Sequence, residues 1–229
     1  MGSALVKEHV ELILSGANLA QTDEGGALYF RGPGRLVVMN STFTSNSASG
    51  GGALYAEGVS VELTDSDFSL NSASNLGGGA ALIYRPPSLA ASGCTFTSNS
   101  ADVRGELSVG GAVLLLGDQS PEDAEVVTMM VKQCDFSLNS ATKGGALSVV
   151  NVLNDDGWVS LAQSQFRSNT AVIGGAVSVE GPVGRIGLDE CRFYQNSGSQ
   201  VRIRLSERGS VGRLSARRAC SSEIPVTER

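Results

Sequence analysis

One phrase in two halves recurs through most of this chain, and it constrains the fold more than any other feature. The first half is Phe-x-x-Asn, standing at Phe43/Asn46, Phe68/Asn71, Phe96/Asn99, Phe136/Asn139, Phe166/Asn169 and Phe193/Asn196. The second is Gly-Gly-Ala, at residues 25–27, 51–53, 78–80, 110–112, 144–146 and 174–176. Successive Phe positions step by 25, 28, 40, 30 and 27 residues. Self-similarity at such a period marks a solenoid, in which each repeat buries its apolar face only against its neighbours. Gly, Ser, Thr, Asn and Val fill the repeat, which favours strands and turns over paired helices.

Within one repeat the apolar pattern divides into three short strands. After Gly-Gly-Ala come alternating pairs: Leu28/Phe30, Leu54/Ala56, Ala81/Ile83, Val113/Leu115, Leu147/Val149 and Val177/Val179. Alternation with a period of two turns one face inward. A second set precedes each Phe by seven and five residues: Leu36/Val38, Val61/Leu63, Leu89/Ala91, Met129/Val131, Val159/Leu161 and Ile186/Leu188. A third strand places a small residue two before Phe, at Ser41, Ser66, Cys94, Cys134, Ser164 and Cys191. The inward parity changes between the second and third strands. A change of parity means a bend, at Asn40, Asp65, Gly93, Gln133, Gln163 and Glu190. Three strands with corners make a triangular coil. The reading is all-β: a right-handed, single-stranded parallel β-helix of about six to seven coils over residues 1–200, followed by a basic, Arg-rich, irregular or partly disordered tail over 201–229.

Stacked coils lie one strand spacing apart, about 4.8 Å, so each residue meets its own kind above and below. Phe43, Phe68, Phe96, Phe136, Phe166 and Phe193 are expected to form an internal aromatic stack. Asn46, Asn71, Asn99, Asn139, Asn169 and Asn196 are expected to form an amide ladder at a turn, each donating to one neighbour and accepting from the other. Asn suits that turn because it tolerates left-handed backbone and satisfies buried polar groups. The Gly pair permits conformations that a Cβ would block. These are structural duties.

Composition narrows the function classes. A net charge of -6 argues against a nucleic-acid or anionic-membrane partner. No apolar run approaches the roughly 20 residues of a spanning helix, so no membrane insertion is expected. Lys7, Glu8, His9 and Glu11 break up what would be the apolar stretch of a signal peptide. Length varies in three places: residues 102–109, the stretch centred on 117–125, and 151–157 just before the lone Trp158. Outgrowths of this kind are where solenoids place function. At the start, 15–18 reads as a degenerate first Phe-x-x-Asn. Neither end shows a polar cap for its terminal strand, and a fragment of a longer protein, or a truncated product with an aberrant tail, is the expectation.

The pairing of Phe-x-x-Asn with Gly-Gly-Ala-(Leu/Val/Ile) resembles the repeat of chlamydial polymorphic outer-membrane proteins, over about Ser15 to Asn196. Similar repeats occur in β-helix surface proteins of other bacteria and of algae. In the chlamydial family the repeats form the passenger β-helix of autotransporters, exported to the cell surface and acting as adhesins. The resemblance implies an extracellular or cell-surface location and a binding role. No signal peptide, middle domain or C-terminal barrel of that family is expected within these residues.

Four cysteines lack C-x-x-C spacing, which disfavours zinc. Cys94 and Cys134 share one position in consecutive coils, within reach of a disulfide. Ser41, Ser66 and Ser164 share it too, which favours buried free thiols; Cys191 is a coil away, and Cys220 has no evident partner. A lyase-like site needs carboxylates converging on Ca²⁺ beside a base. Asp67 and Asp135 point outward but Thr95 stands between them, while Asp155, Asp156, Glu122, Asp123 and Glu125 fall in separate loops. His9 is the single histidine, and no calcium nonapeptide is present, so no metal and no cofactor are called for. The outward position two after each Gly-Gly-Ala reads Tyr29, Tyr55, Leu82, Leu114, Ser148, Ser178. The first four would form an exposed apolar strip: either a platform for a partner or for sugar rings, or a surface covered by a loop or by further coils. Asn40-Ser-Thr is the one N-glycosylation sequon, at a corner residue. Two functions follow: a non-catalytic surface module binding a receptor protein or polysaccharide, or a polysaccharide lyase, epimerase or hydrolase.

Overall fold

The computed structural model describes residues 10–15, 18–20, 26–101, 108–117, 127–151, 157–181, 185–198, 201–204 and 213–217. Gly25, His9, residues 102–107, Glu122, Asp123, Glu125, Asp155, Asp156 and Cys220 lie outside them. Three long parallel sheets run the length of the molecule. The first has seven strands, from Leu28–Arg31 to Val201–Arg204; the second has eight, from Val10–Ser15 to Arg213–Arg217. The third has seven strands of three residues, from Asn18–Ala20 to Arg192–Tyr194. Every strand pairs with its equivalents one coil before and after, so Phe68 lies between Phe43 and Phe96 in register. The chain is a parallel β-helix, in line with the six to seven coils read from the repeat.

From Leu28 to Val201 the inward apolar residues of the three strands are buried among the described residues, and they form one continuous core. The six Phe rings stack at centroid separations of 4.7 to 5.0 Å with interplanar angles of 3 to 9°. Each stacked pair adds about 1 kcal/mol beyond the area it buries.

The corners carry the strain. Asn40, Asp65, Gly93, Gln133, Gln163 and Glu190 have φ between 46 and 64°, which is how the parity change is made. A second left-handed corner follows the third sheet at Ser45, Leu70, Ser98, Leu138, Ser168 and Gln195, with φ between 53 and 58°. This corrects the expectation that Asn itself turns the chain: the residue before it does. Asn is left in position to bond its neighbours. A non-glycine residue held there costs about 1 kcal/mol or more, which the hydrogen bonds around it must offset.

At the first corner the small inward residue bridges the bend. Ser41 Oγ donates to the Met39 carbonyl at 2.7 Å, and Ser66 and Ser164 repeat the bond to Thr64 and Ala162 at 2.8 Å. Cys94, Cys134 and Cys191 make the same contact more loosely, at 3.4, 3.3 and 3.5 Å. The position therefore asks for a donor as well as for small size. At the second corner Asn71 Nδ2 donates to Asn99 Oδ1 at 3.0 Å and to the Phe43 carbonyl at 3.0 Å. The same Asn99 oxygen accepts the Asn71 backbone N–H at 3.0 Å. This bonding recurs down the ladder to Asn196.

The two glycines of each pair do different jobs. Gly51, Gly78, Gly110, Gly144 and Gly174 have φ between 59 and 67°. The second glycine meets the next coil: a Cβ on Gly79 would lie 2.0 Å from the Gly111 carbonyl oxygen, and one on Gly52, Gly111 or Gly145 would meet the next glycine carbonyl at 2.0 to 2.1 Å. No side chain fits there.

Two features go beyond the three-strand reading. Between Asn and the Gly pair, Ser47–Gly50, Ser72–Gly77 and Ser100–Ala101 form a fourth, short parallel sheet. Bridges through Ser140, Thr170 and Ser197 continue it. The Arg-rich tail, expected to be irregular, extends two sheets: Val201–Arg204 pairs with Val177–Glu180, and Arg213–Arg217 with Arg185–Asp189. Val201 and Ile203 keep the period of two that the first sheet requires, and Val201 is buried. Among the described residues no helix is long and apolar enough to cross a membrane.

Candidate functional site

With the interior given over to ladders, any site must lie on an outer face. The strip on the first sheet differs from expectation. Tyr29 and Tyr55 are half-buried, but Leu82 and Leu114 are only 2% and 1% exposed, and Ser148 and Ser178 are fully buried. The cause is the fourth sheet and the chain that continues it, which lie over this face. A Cβ on Gly50 would touch Leu76 and Leu82, and one on Gly77 would touch Val109 and Leu114. Leu82, Val109 and Leu114 thus make a second small apolar core outside the β-helix wall. Val109, expected in an outward bulge, is part of it. The two leucines are thus covered, while the Ser148 and Ser178 hydroxyls are enclosed without hydrogen-bond partners.

The two tyrosines stack on each other, with centroids 4.9 Å apart and planes 6° from parallel. Each therefore spends one ring face on the other. Tyr55 Oη donates to Glu57 Oε2 at 3.2 Å, and Arg31 pairs with the same carboxylate at 3.3 Å. Burial, then the Glu57 charge, pushes the Tyr55 phenol far above its ordinary value, so it stays a donor at all physiological pH. The end of the strip is a polar, half-covered edge: Arg31, Glu57 and the tyrosine pair.

The candidate acids do not converge. Asp67, Thr95 and Asp135 stand in register on the outer face of the third sheet. Asp67 and Asp135 are thus two strand spacings apart, about 9.6 Å. Thr95 Oγ1 donates to Asp67 Oδ1 at 2.7 Å, and Arg167 pairs with Asp135 at 3.3 Å. Among the described residues no group of three His, Cys, Asp or Glu side chains could hold a metal ion. An interior gap of about 10 Å³ among Leu63, Phe96, Phe136 and Leu147 is lined only by apolar side chains. It is a packing defect, since a bound water would have no polar partner.

Cys94, Cys134 and Cys191 are free and buried. Hydrogen bonding with the Cys94 thiol, and then burial, raises the Cys134 thiol far above the ordinary range, and burial raises Cys191. Neither is a nucleophile at neutral pH.

The third strands carry a further surface pattern. The third strand and its corner run Thr42-Phe-Thr-Ser-Asn46, then Asp67-Phe-Ser-Leu-Asn71, then Thr95-Phe-Thr-Ser-Asn99, then Asp135-Phe-Ser-Leu-Asn139. Alternate coils thus share outward residues, a two-coil period legible in the sequence once coils are aligned. Its leucines are the exposed ones: Leu70 at 60% and Leu138 at 59%.

Residues 40–57 match the model of the Chlamydia polymorphic membrane protein repeat. That span is one passage from the corner at Asn40, through Phe43, Asn46 and the Gly51-Gly52 pair, to the end of the strand Leu54–Glu57. No curated protein and no solved structure matches the chain. Together the match and the solenoid make this a β-helix of polymorphic-membrane-protein-type repeats.

Proposed function

We propose that this β-helix is a non-catalytic, surface-displayed module that holds a partner macromolecule against its outer faces. The observation that carries the reading is the division of labour in the repeat. Phe, Asn, Gly and the small corner residue are all consumed in ladders that keep the coils in register, which leaves only outer faces for contact. The repeat match supports a surface or autotransporter-like setting, where such modules are displayed as rigid stalks, and the adhesive role is drawn from that likeness. A carbohydrate-active enzyme is the less favoured reading, because Asp67 and Asp135 stand apart on a flat face and each already has a partner.

Incubating the purified protein with a panel of neutral and acidic polysaccharides, and with surface proteins of a target cell, separates the readings. Retention on a protein partner without chain cleavage of any glycan is the expected result. Cleavage of any polysaccharide would overturn it and direct mutation to the carboxylates. Weakened retention in Tyr29→Ser/Tyr55→Ser would place the contact at the tyrosine edge.

A further inference from the structure

The small inward residue at the first corner is Ser at 41, 66 and 164 and Cys at 94, 134 and 191. Serine is the better donor there: its hydroxyl reaches the carbonyl two residues back at 2.7 to 2.8 Å, where the thiols stand off at 3.3 to 3.5 Å. The bend alone therefore does not account for cysteines in two adjacent coils. Cys94 and Cys134 are those neighbours. Their flanking strands pair Ser92 with Lys132 and Thr95 with Asp135, and the Asp135 N–H donates to the Cys94 carbonyl at 3.0 Å. The two Cα atoms are thus one strand spacing apart, about 4.8 Å, inside the roughly 4.4 to 6.8 Å that a disulfide spans. Each thiol turns to the carbonyl two residues back, so the two side chains point the same way. The sulfurs already meet in the reduced fold. Cys134 donates to Cys94, which holds the Cys94 thiol below its ordinary value and Cys134 above it. Cys191 lies beyond Ser164, two strand spacings or about 9.6 Å from Cys134, and is out of reach.

We infer that Cys94 and Cys134 are an oxidative modification site, at which a disulfide closes as the chain folds in an oxidising setting and staples two successive coils. The oxidant is itself a disulfide, of a small thiol such as glutathione or of a protein. One cysteine, as its thiolate, attacks that disulfide, forms a mixed disulfide and expels one thiolate. The second cysteine then attacks the mixed disulfide, forms the Cys94–Cys134 bond and expels the other. Two protein thiols are oxidised, one external disulfide is reduced to two thiols, and the two protons pass to the expelled sulfurs. Both cysteines are buried, at 0% and 2% exposure, so the exchange is complete before the coils close over them. The pair stands where a staple has most to hold. Successive corner residues from Ser41 to Cys191 step by 25, 28, 40, 30 and 27, and the two cysteines bracket the step of 40. That step contains the length-variable stretches 102–109 and 117–125. A cross-link over a longer stretch removes more freedom from the unfolded chain. Only the source of the oxidant rests on the surface setting proposed above; the geometry of the pair does not.

Refolding the full chain from urea, in a buffer of oxidised and reduced glutathione or in excess dithiothreitol, tests the assignment. Cys191→Ser/Cys220→Ser protein leaves only the two cysteines in question, and its first change copies the residue at Ser41, Ser66 and Ser164. In the glutathione buffer we expect a chain lighter by two hydrogens, with the Cys94 and Cys134 peptides linked in a non-reducing digest. Its melting temperature should stand about 5 °C or more above that of the reduced chain, and dithiothreitol should return it. Adding Cys94→Ser to the same protein should make the two buffers equivalent. Two thiols that both react with an alkylating reagent after oxidative refolding and unfolding would overturn the inference. So would a glutathione adduct left on one cysteine, or an oxidised chain that melts below the reduced one, since the bond would then not fit the coil spacing. A gain that survives Cys94→Ser would equally refute it. Should the double variant fail to refold, the same digest of the wild-type chain decides: linkage of Cys94 to Cys134 supports the staple, and any other pairing or none sinks it.

Discussion

Two stretches of the coil behave in opposite ways. From the left-handed corner to the ladder Asn there are six residues in every coil: Asn40 to Asn46, Asp65 to Asn71, Gly93 to Asn99, Gln133 to Asn139, Gln163 to Asn169 and Glu190 to Asn196. From that Asn to the next Gly pair there are five residues at Asn46–Gly51, seven at Asn71–Gly78 and eleven at Asn99–Gly110. The constant stretch has polar groups that only the neighbouring coil can satisfy. One residue more or less would carry Asn99 Oδ1 away from both donors of Asn71 and point Phe96 outward. The variable stretch crosses the outside of the first sheet, where extra chain has room. Uniform length thus follows from the side-chain bonds between coils, and variation is taken up where the backbone pairing of the fourth sheet loses register, between Ala73 and Gly77.

Substitutions can break this contrast at several strengths. The largest effect is expected at the second glycine of a pair. Gly79→Ala forces a Cβ to within 2.0 Å of the Gly111 carbonyl oxygen and should abolish cooperative unfolding by circular dichroism. Gly58→Ala, where the nearest atom is 3.9 Å away and only the φ of 69° opposes it, should cost about 1 kcal/mol. Equal behaviour of the two would refute the close-approach argument.

Next comes the ladder. Asn99→Ala removes the acceptor for two Asn71 donors and the donor to the Phe68 carbonyl, all buried. Unsatisfied groups of this kind should cost about 4 kcal/mol in urea unfolding. A loss under about 1 kcal/mol would mean that water takes over the bonds. On the other side of the wall, Leu82→Ala should cost about 2 to 3 kcal/mol, because its outer cluster can relax more than the interior can. A full interior-sized loss would show that the fourth sheet is as rigid as the first three.

The smallest effects concern the corner thiols. In the reduced chain, Cys94→Ser restores the residue used at Ser41, Ser66 and Ser164 and should change stability by less than about 1 kcal/mol. In reduced Cys220→Ser protein, a thiol reagent should modify Cys94, Cys134 and Cys191 only as the chain unfolds. Burial raises Cys191 above its ordinary value of 9.0, so its protonated form favours the fold. That contribution is complete below about pH 9 and is lost as pH climbs further, and an alkaline fall in melting temperature that weakens in Cys191→Ser would confirm the sign.

Legibility followed the same division. The three strands, their inward residues, the parity-change corners and the two ladders could be read because each repeats a residue type at a fixed step. The second left-handed corner was assigned to Asn instead of to Ser45, Leu70 and their equivalents, since the polar residue draws attention and the strained one has no uniform identity. Leu82 and Leu114 were expected at the surface because outward alternation in a strand says nothing of what lies over it.

What the sequence determined by itself was periodic: a coil, its three faces and the neighbour each residue meets, all set by spacing and residue type. What only the tertiary structure decided was aperiodic. It placed the fourth sheet over the first, buried two leucines and two serines beneath it, and left Leu70 and Leu138 in solvent. Burial depends on which distant segment covers a face, and segments of five, seven and eleven residues share no pattern that would announce where they settle.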